Sequence, residues 1–283
     1  MASVALVPHP LRPRAARLAS ETAAWLESQG HEVRLPEDEV VDAALSGHDS
    51  PAEKLVRGLD LAVSLGGDGT MIRTVDLVSA WGVPVLGVNV GQLGYLTEVE
   101  PGELHAALAR FFAGDFRVEA RMTLSVRIAG AEEEASCAAL NEAVLEKTVS
   151  GHTVRLGIAL NSEGFTTAAA DGLIVSTPTG STAYNFSARG PIVSPLHRAI
   201  VVTPVAPHML FDRSLVLGAD ESVGLEVLDG PPAALVVDGR QVATLHPGDG
   251  VVCRTGRHDA RFVTFGGRDF HRILKAKFGL ADR

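Results

Sequence analysis

The feature that most limits how this chain can fold is a change in apolar periodicity at about residue 115. Up to that point, short apolar runs alternate with stretches whose apolar residues recur at helical spacing, as in a parallel sheet covered by helices. Strands are predicted at 3–7, 31–35, 59–65 and 83–89. Ala15, Leu18, Ala19, Thr22, Trp25 and Leu26 mark a helix that stops before Gly30. Met71, Val75 and Val78 mark the buried face of a second helix, and Leu104, Leu108, Phe111 and Phe112 a third that ends near Gly114. Beyond it only short strands follow, at 116–128, 137–146, 153–161, 165–177, 199–205, 214–217, 222–228, 233–245, 250–254 and 261–265. Residues 229–232 and 238–240 carry the turn residues expected between antiparallel strands. A short helix is predicted at 270–278.

The fold expected from this pattern is an α/β N-terminal domain with a Rossmann-like parallel sheet, followed by an all-β sandwich C-terminal domain. The boundaries fall at 1–115 and 116–265, with 266–283 returning to the first domain. A chain of 283 residues is long enough for both cores.

Composition then removes several function classes. A formal net charge of -9 gives no general basic surface, so no nucleic-acid partner is expected. Lys54, Lys147, Lys275 and Lys277 are the lysines, and none follows a glycine-rich loop in P-loop spacing. Any phosphate is therefore left to backbone amides, arginine or metal. Cys137 and Cys253 form neither a disulfide framework nor a zinc pattern, so no protein-held metal site is expected. No apolar window is long enough to span a membrane, and the opening MASVALVPHP has no basic region before an apolar stretch. The expected location is the cytoplasm, with no membrane partner.

LGGDGT at 65–70 follows an apolar strand and precedes a helix. Its glycines let the backbone turn sharply and expose amides beside a helix end that favours anions. Asp68 is out of place in a plain phosphate cradle, because a carboxylate is repelled by a polyanion unless it binds a cation or handles a proton. The plainer alternative is a tight turn with Asp68 capping the helix. Arg73, one turn on, is placed to reach back to phosphate or simply to face solvent. GVNVGQLGYL at 87–96 has the spacing GxxxGxxG, so it does not fit the dinucleotide fingerprint GxGxxG. Asn141 and Glu142 interrupt an apolar strand, either as nucleoside readers or as satisfied buried polar groups. DGLIVSTPTGSTAY at 171–184 places hydroxyls, a glycine turn and an aromatic ring at a strand end, which suits ribose hydroxyls and a stacked base. A helix start capped by Thr179 or Ser181 is the alternative there.

The GGDGT loop resembles that of NAD kinases, of diacylglycerol and sphingosine kinases and, more loosely, of phosphofructokinases. DGLIVSTPTGSTAY matches the NAD kinase pattern almost letter for letter, residues 89–96 resemble its NxGxLGFL signature with Tyr95 for phenylalanine, and an Asn-Glu pair stands in the same place. The chain is on this basis identified as a member of the NAD kinase family. The resemblance implies phosphoryl transfer from ATP, with inorganic polyphosphate as an alternative donor, to the adenosine 2'-hydroxyl of NAD, helped by Mg2+ or another divalent cation. It implies Asp68 as the catalytic carboxylate, while the loop chemistry makes Gly66, Gly67 and Arg73 the expected phosphate contacts. It assigns NAD binding to Gly69, Asn141, Glu142, His152, Asp171, Thr182, Ala183, Tyr184, Asn185, Phe186 and Ser187. It also implies an active site between the two domains and a homodimer or homotetramer. The competing readings are a lipid or sugar kinase with the same loop, or an NAD(P)-binding module without catalysis.

Three departures from the family pattern stand out. Ala169 replaces a common basic residue, SAGGP becomes Ser187-Ala-Arg189-Gly-Pro191, and DGQ becomes Asp238-Gly-Arg240. Arg189 or Arg240 is expected to supply positive charge that Ala169 cannot.

Overall fold

In a computed structural model the described residues are all except 38–47, 92–93, 131–135, 209–211, 267–268 and 281–283. Two positions of the 87–96 motif, Gln92 and Leu93, therefore lie outside the described residues. The chain divides into two compact units, Met1–Ala120 with Ala260–Arg283, and Arg121–Asp259.

The first unit is built on parallel strands: β1 (Ser3–Pro8), β2 (Glu32–Pro36), β3 (Asp49–Ser50), β4 (Leu61–Gly66) and β5 (Val85–Asn89). With β6 (Arg117–Arg121) and β19 (Ala260–Thr264) they form a seven-stranded sheet in the order β3-β2-β1-β4-β5-β19-β6. β19 continues the pattern of the strands before it in sequence, yet it pairs in parallel with β5 through Phe262 and Val85.

Strand alternation decides which helix covers which face. Leu61, Val63 and Leu65 pack with Ala15, Ala19, Ala23 and Leu26 of α1 (Pro13–Ser28), and with Leu104, Ala107 and Leu108 of α4 (Leu104–Phe112). The alternate residues turn the other way. There α3 (Asp68–Val78) buries Met71, Val75 and Val78, and a Cβ on Gly87 of β5 would lie 3.2 Å from the Met71 sulfur. Gly30 and Gly114 end their helices in left-handed backbone, φ 79° and 75°, where a glycine costs least.

The second unit holds two six-stranded antiparallel sheets; its strands are β7 (Leu124–Ile128), β8 (Cys137–Ala139), β9 (Glu142–Lys147), β10 (Val154–Leu160), β11 (Glu163–Ala170), β12 (Gly172–Ser176), β13 (Ala199–Val205), β14 (Leu215–Gly218), β15 (Val223–Asp229), β16 (Ala233–Val237), β17 (Arg240–Leu245) and β18 (Gly250–Thr255), in the orders β11-β10-β15-β18-β7-β8 and β14-β13-β12-β9-β16-β17. One apolar core joins them, with Val126, Leu156, Leu225 and Val251 from the first and Leu145, Leu173, Val202 and Leu235 from the second. Several runs that read as single strands in the sequence are pairs of strands. The run 116–128 is β6 and β7 (Leu124–Ile128), which belong to different sheets. The run 137–146 is β8 (Cys137–Ala139) and β9 (Glu142–Lys147), and 165–177 is β11 (Glu163–Ala170) and β12 (Gly172–Ser176); each pair crosses between sheets. The run 233–245 is a hairpin of β16 (Ala233–Val237) and β17 (Arg240–Leu245), turning on Asp238 and Gly239, both with positive φ. The two crossings within the second unit carry a short polar interruption, Asn141–Glu142 and Asp171, between apolar runs that face one core, so each reads as a break inside a single strand. The crossings at 140–141 and at Asp171 are where the polar motif residues stand.

Candidate functional site

In the first unit the site grows from the carboxyl end of β4. Gly67 is the N-cap of α3, with no side-chain cap, and Asp68 is its first residue. The amides that open a helix have no partner within it, so those of the loop remain available to an anion. Gly66 is glycine for a packing reason, since a Cβ there would lie 2.1 Å from the Thr70 hydroxyl. Nothing lies within 4 Å of a Cβ at Gly67 or Gly69, so the fold does not require glycine there. Arg73 lies half-buried on α3 one turn further on.

Asp68 does not cap the helix. Its carboxylate instead accepts the N–H of Tyr95 at 2.9 Å and of Leu96 at 3.0 Å, one on each oxygen. Those amides come from the segment after β5, which explains why the 66–70 and 89–96 motifs occur together. Gly94 is part of the arrangement because a Cβ there would lie 2.1 Å from Asp68 Oδ1. Gly94→Ala is expected to push the carboxylate off its amides and lower kcat at least about tenfold, with a modest fall in melting temperature. Steady-state rates together with calorimetric unfolding check this. Burial and the nearby Asp68 raise the Tyr95 phenol above its usual pKa, and Lys277 sits 4.3 Å over the Tyr95 ring. That ammonium is held by the ring's negative face.

In the second unit the Asn141–Glu142 pair lies where the chain enters β9. Its peptide groups are held from two sides. The Asp238 carboxylate accepts the amides of Leu140, Asn141 and Glu142 at 2.7, 2.8 and 3.0 Å. On the other side the Thr177 hydroxyl donates to the Leu140 carbonyl at 2.6 Å, and the Thr177 amide to the Asn141 carbonyl at 2.8 Å. Gly180 closes against the same carbonyl, where a Cβ would come within 2.1 Å.

Glu142, Val144 and Glu146 point to the face of β9 away from the core. Glu142 is 7% exposed and its Oε2 has no hydrogen-bond partner. Burial first, then the neighbouring Asp238, raise its pKa to about 8, against a lowering by the Tyr184 N–H bond to it. Tyr184 is 37% exposed. Its phenol pKa is raised by burial and by the charges of Glu146, Asp171 and Glu142. Asp171 is paired with Lys147 at 2.6 Å.

The rest of the 182–187 segment divides by role. Thr182 and Ala183 are half-buried, while Phe186 and Ser187 are exposed in the short helix α5 (Tyr184–Ser187). Asn185 is 0% exposed and donates to the Ser181 and Pro191 carbonyls while accepting from the Thr203 hydroxyl. Its side chain is thus spent on holding the segment. Ser181 is bonded both ways to Val193, and the Thr179 hydroxyl is buried with no partner, so neither acts as the expected helix cap. His152 is exposed after the turn at Val149, its amide donating to the Val149 carbonyl.

Comparison with known proteins agrees with both halves of this arrangement. Residues 4–116 match the family described as ATP-NAD kinase N-terminal domain, and residues 140–265 the ATP-NAD kinase C-terminal domain. The NAD kinase of Heliobacterium modesticaldum is 42% identical over 279 residues, covering 98% of each chain. This chain belongs to the NAD kinase family. The NAD kinase of Moorella thermoacetica is 36% identical over 98% of this chain and 89% of its own. Yeast NADH kinase complexed with NADH superposes with a TM-score of 0.91 at 26% identity, covering 100% of this chain and 89% of the other. An Archaeoglobus fulgidus NAD kinase in complex with ATP shares the fold at TM-score 0.75 and 22% identity, with full coverage of both chains. The two-domain fold is that of the family.

Sequence reading missed Asp238, Thr177, Lys147 and Gly94. Asp238 stood as a turn residue and as the retained first position of the DGQ pattern, and the amides it holds lie 96 to 98 residues away, where no local signal marks them. The departures from the family pattern fall in specific places. Arg189 is exposed with φ 64°, a left-handed backbone in which a non-glycine residue is strained. Arg240 opens β17 beside Asp238 and Gly239, and Ala169 pairs with Arg155 across β10 (Val154–Leu160) and β11. A concavity of about 560 Å³ in the second unit lies elsewhere, along Gly157, Phe165, Thr166 and Val251 of the other sheet.

Proposed function

We infer that this chain transfers a phosphoryl group from ATP to the adenosine 2'-hydroxyl of NAD, making NADP. The observation that carries the reading is the Asp68 carboxylate, fixed by two backbone amides within a glycine loop that opens helix α3. Its setting in a chain aligned over almost its full length with NAD kinases selects the acceptor. A lipid or sugar kinase has no such support.

Phosphoryl transfer asks a protein for in-line positioning and for neutralisation of charge on the equatorial oxygens. Asp68 accepts the hydrogen bond of the attacking hydroxyl and takes its proton as the new O–P bond forms and the bond to the leaving ADP breaks. Among the described residues each Asp68 oxygen receives one N–H, so lone pairs remain for this. The amides of Gly66, Gly67 and Gly69 and the guanidinium of Arg73 hold donor phosphate. Asn141, Glu142, Asp171 and residues 182–187 bind NAD, with Tyr184 offering its ring, while Asn185 acts by holding that segment in place. His152 has the weakest support, since nothing links it to the other residues.

For Mg2+ or another divalent cation, Asp68 would be the residue to hold it beside the donor phosphates, and it would supply charge neutralisation on the transferring group. A homodimer or homotetramer is carried by the family resemblance alone. The test is NADP formation with ATP or polyphosphate as donor and NAD or NADH as acceptor. ATP with NAD is expected to give product, and the absence of product from every combination would refute the reading.

A further inference from the structure

Glu142 is a buried carboxyl with one oxygen that has no hydrogen-bond partner among the described residues, and the charged group that acts on it is another carboxyl, Asp238. The surrounding elements supply mostly more of the same charge. Glu146 lies two residues along the same face of β9, and Asp171 stands at the junction of β11 and β12. The lysine of the cluster, Lys147, is already engaged by Asp171 at 2.6 Å. From α5 comes only the Tyr184 N–H and, further out, its phenol. Two carboxyl groups in such a place do not both carry charge. Asp238 is the one with donors, since it accepts three consecutive amides, so Glu142 is left to hold the proton.

We propose that Asp238 is a positioning residue for the nucleotide site: it holds the peptide units of Leu140, Asn141 and Glu142, and it makes Glu142 present an O–H donor to a neutral acceptor on the nucleotide. That acceptor is a ring nitrogen or a hydroxyl or amide oxygen, because an O–H group has something to give to each. The proposal rests on the reading that Asn141 and Glu142 bind NAD. It follows that ionising Glu142 replaces a donor by a buried negative charge, and affinity for the nucleotide falls.

The experiment is the KM for NAD as a function of pH in the parent protein, Glu142→Gln and Asp238→Asn. Asparagine tolerates the left-handed backbone at this turn, φ 47°, and its single oxygen can keep the amides of Asn141 and Glu142. The parent KM is expected to rise about tenfold between about pH 7 and pH 9 as Glu142 loses its proton. In Glu142→Gln, which cannot ionise, the KM stays level over that range. In Asp238→Asn the rise begins about one pH unit lower or more, because a negative charge that opposed ionisation is gone. If Asp238→Asn only lowers the melting temperature and leaves the midpoint in place, Asp238 merely supports the fold and the proposal fails. A parent KM that does not change with pH overturns it as well.

A parent protein that makes no NADP defeats the functional reading and not this one. The protonation of Glu142 is read independently from the infrared difference between parent and Glu142→Gln at neutral pH. The carbonyl stretch of a protonated carboxyl is expected, and carboxylate bands in its place overturn the proposal.

Discussion

Asp68→Asn is expected to reduce the rate of NADP formation by about a thousandfold, the scale of losing a positioned proton acceptor. An amide neither takes a proton from a ribose hydroxyl nor brings negative charge beside a divalent cation. The same substitution tests the local architecture. Asn offers one oxygen where Asp68 offers two, so either the Tyr95 or the Leu96 amide loses its acceptor. An unsatisfied amide of this kind costs about 1–3 kcal/mol, which a thermal melt detects without unfolding the protein. NAD affinity, measured by calorimetry, should change little. Near-normal turnover would remove Asp68 from the chemistry and leave its two hydrogen bonds as purely structural.

The second large effect is expected at a residue that does no chemistry. In Gly180→Ala the added methyl meets the Asn141 carbonyl oxygen at 2.1 Å and its carbon at 2.5 Å. These are backbone atoms held by Thr177 on one side and, through the adjoining amides, by Asp238 on the other. They cannot step aside as the end of a flexible side chain would. Overpacking of this sort costs about 1–3 kcal/mol or more, and here the displaced group is the entry to the Asn141–Glu142 pair. The KM for NAD should rise at least about tenfold, because a small misplacement in a binding constellation has large effects. Gly69→Ala is the control for stability. Nothing lies within 4 Å of a Cβ there and the residue is helical, so its melting temperature should hold or rise. If Gly180→Ala melts and binds like the parent, the close approach to Asn141 is not what requires glycine.

Much of the site was legible in the sequence because its residues are unusual for their surroundings. Asp68 within glycines and Asn141–Glu142 within an apolar run each break a local rule, and such breaks mark places where something other than folding has set the residue. The helices of the first unit were legible for the opposite reason, since Met71, Val75 and Val78 follow helical spacing and are buried as that spacing implies. What sequence could not convey were the long-range partners. Asp238 lies 96 residues or more from the amides it holds, and Tyr95 lies 27 from Asp68. The strand crossings at 140–141 and 171 were hidden because their polar residues read as motifs inside one strand, with apolar runs on both sides. Asn185 shows the converse limit. A polar residue in the middle of a binding motif reads as a contact, but its amide is fully occupied by Ser181, Pro191 and Thr203.

The central claim is that this chain places a phosphoryl group on the adenosine 2'-hydroxyl of NAD. Phosphorus NMR of a reaction with NAD and ATP, run beside the Asp68→Asn protein, tests it most directly. The account predicts a new phosphomonoester signal at the 2' position and matching growth of ADP, both nearly absent in the variant. ATP consumed without that signal, or the same signal at undiminished rate from Asp68→Asn, would contradict it.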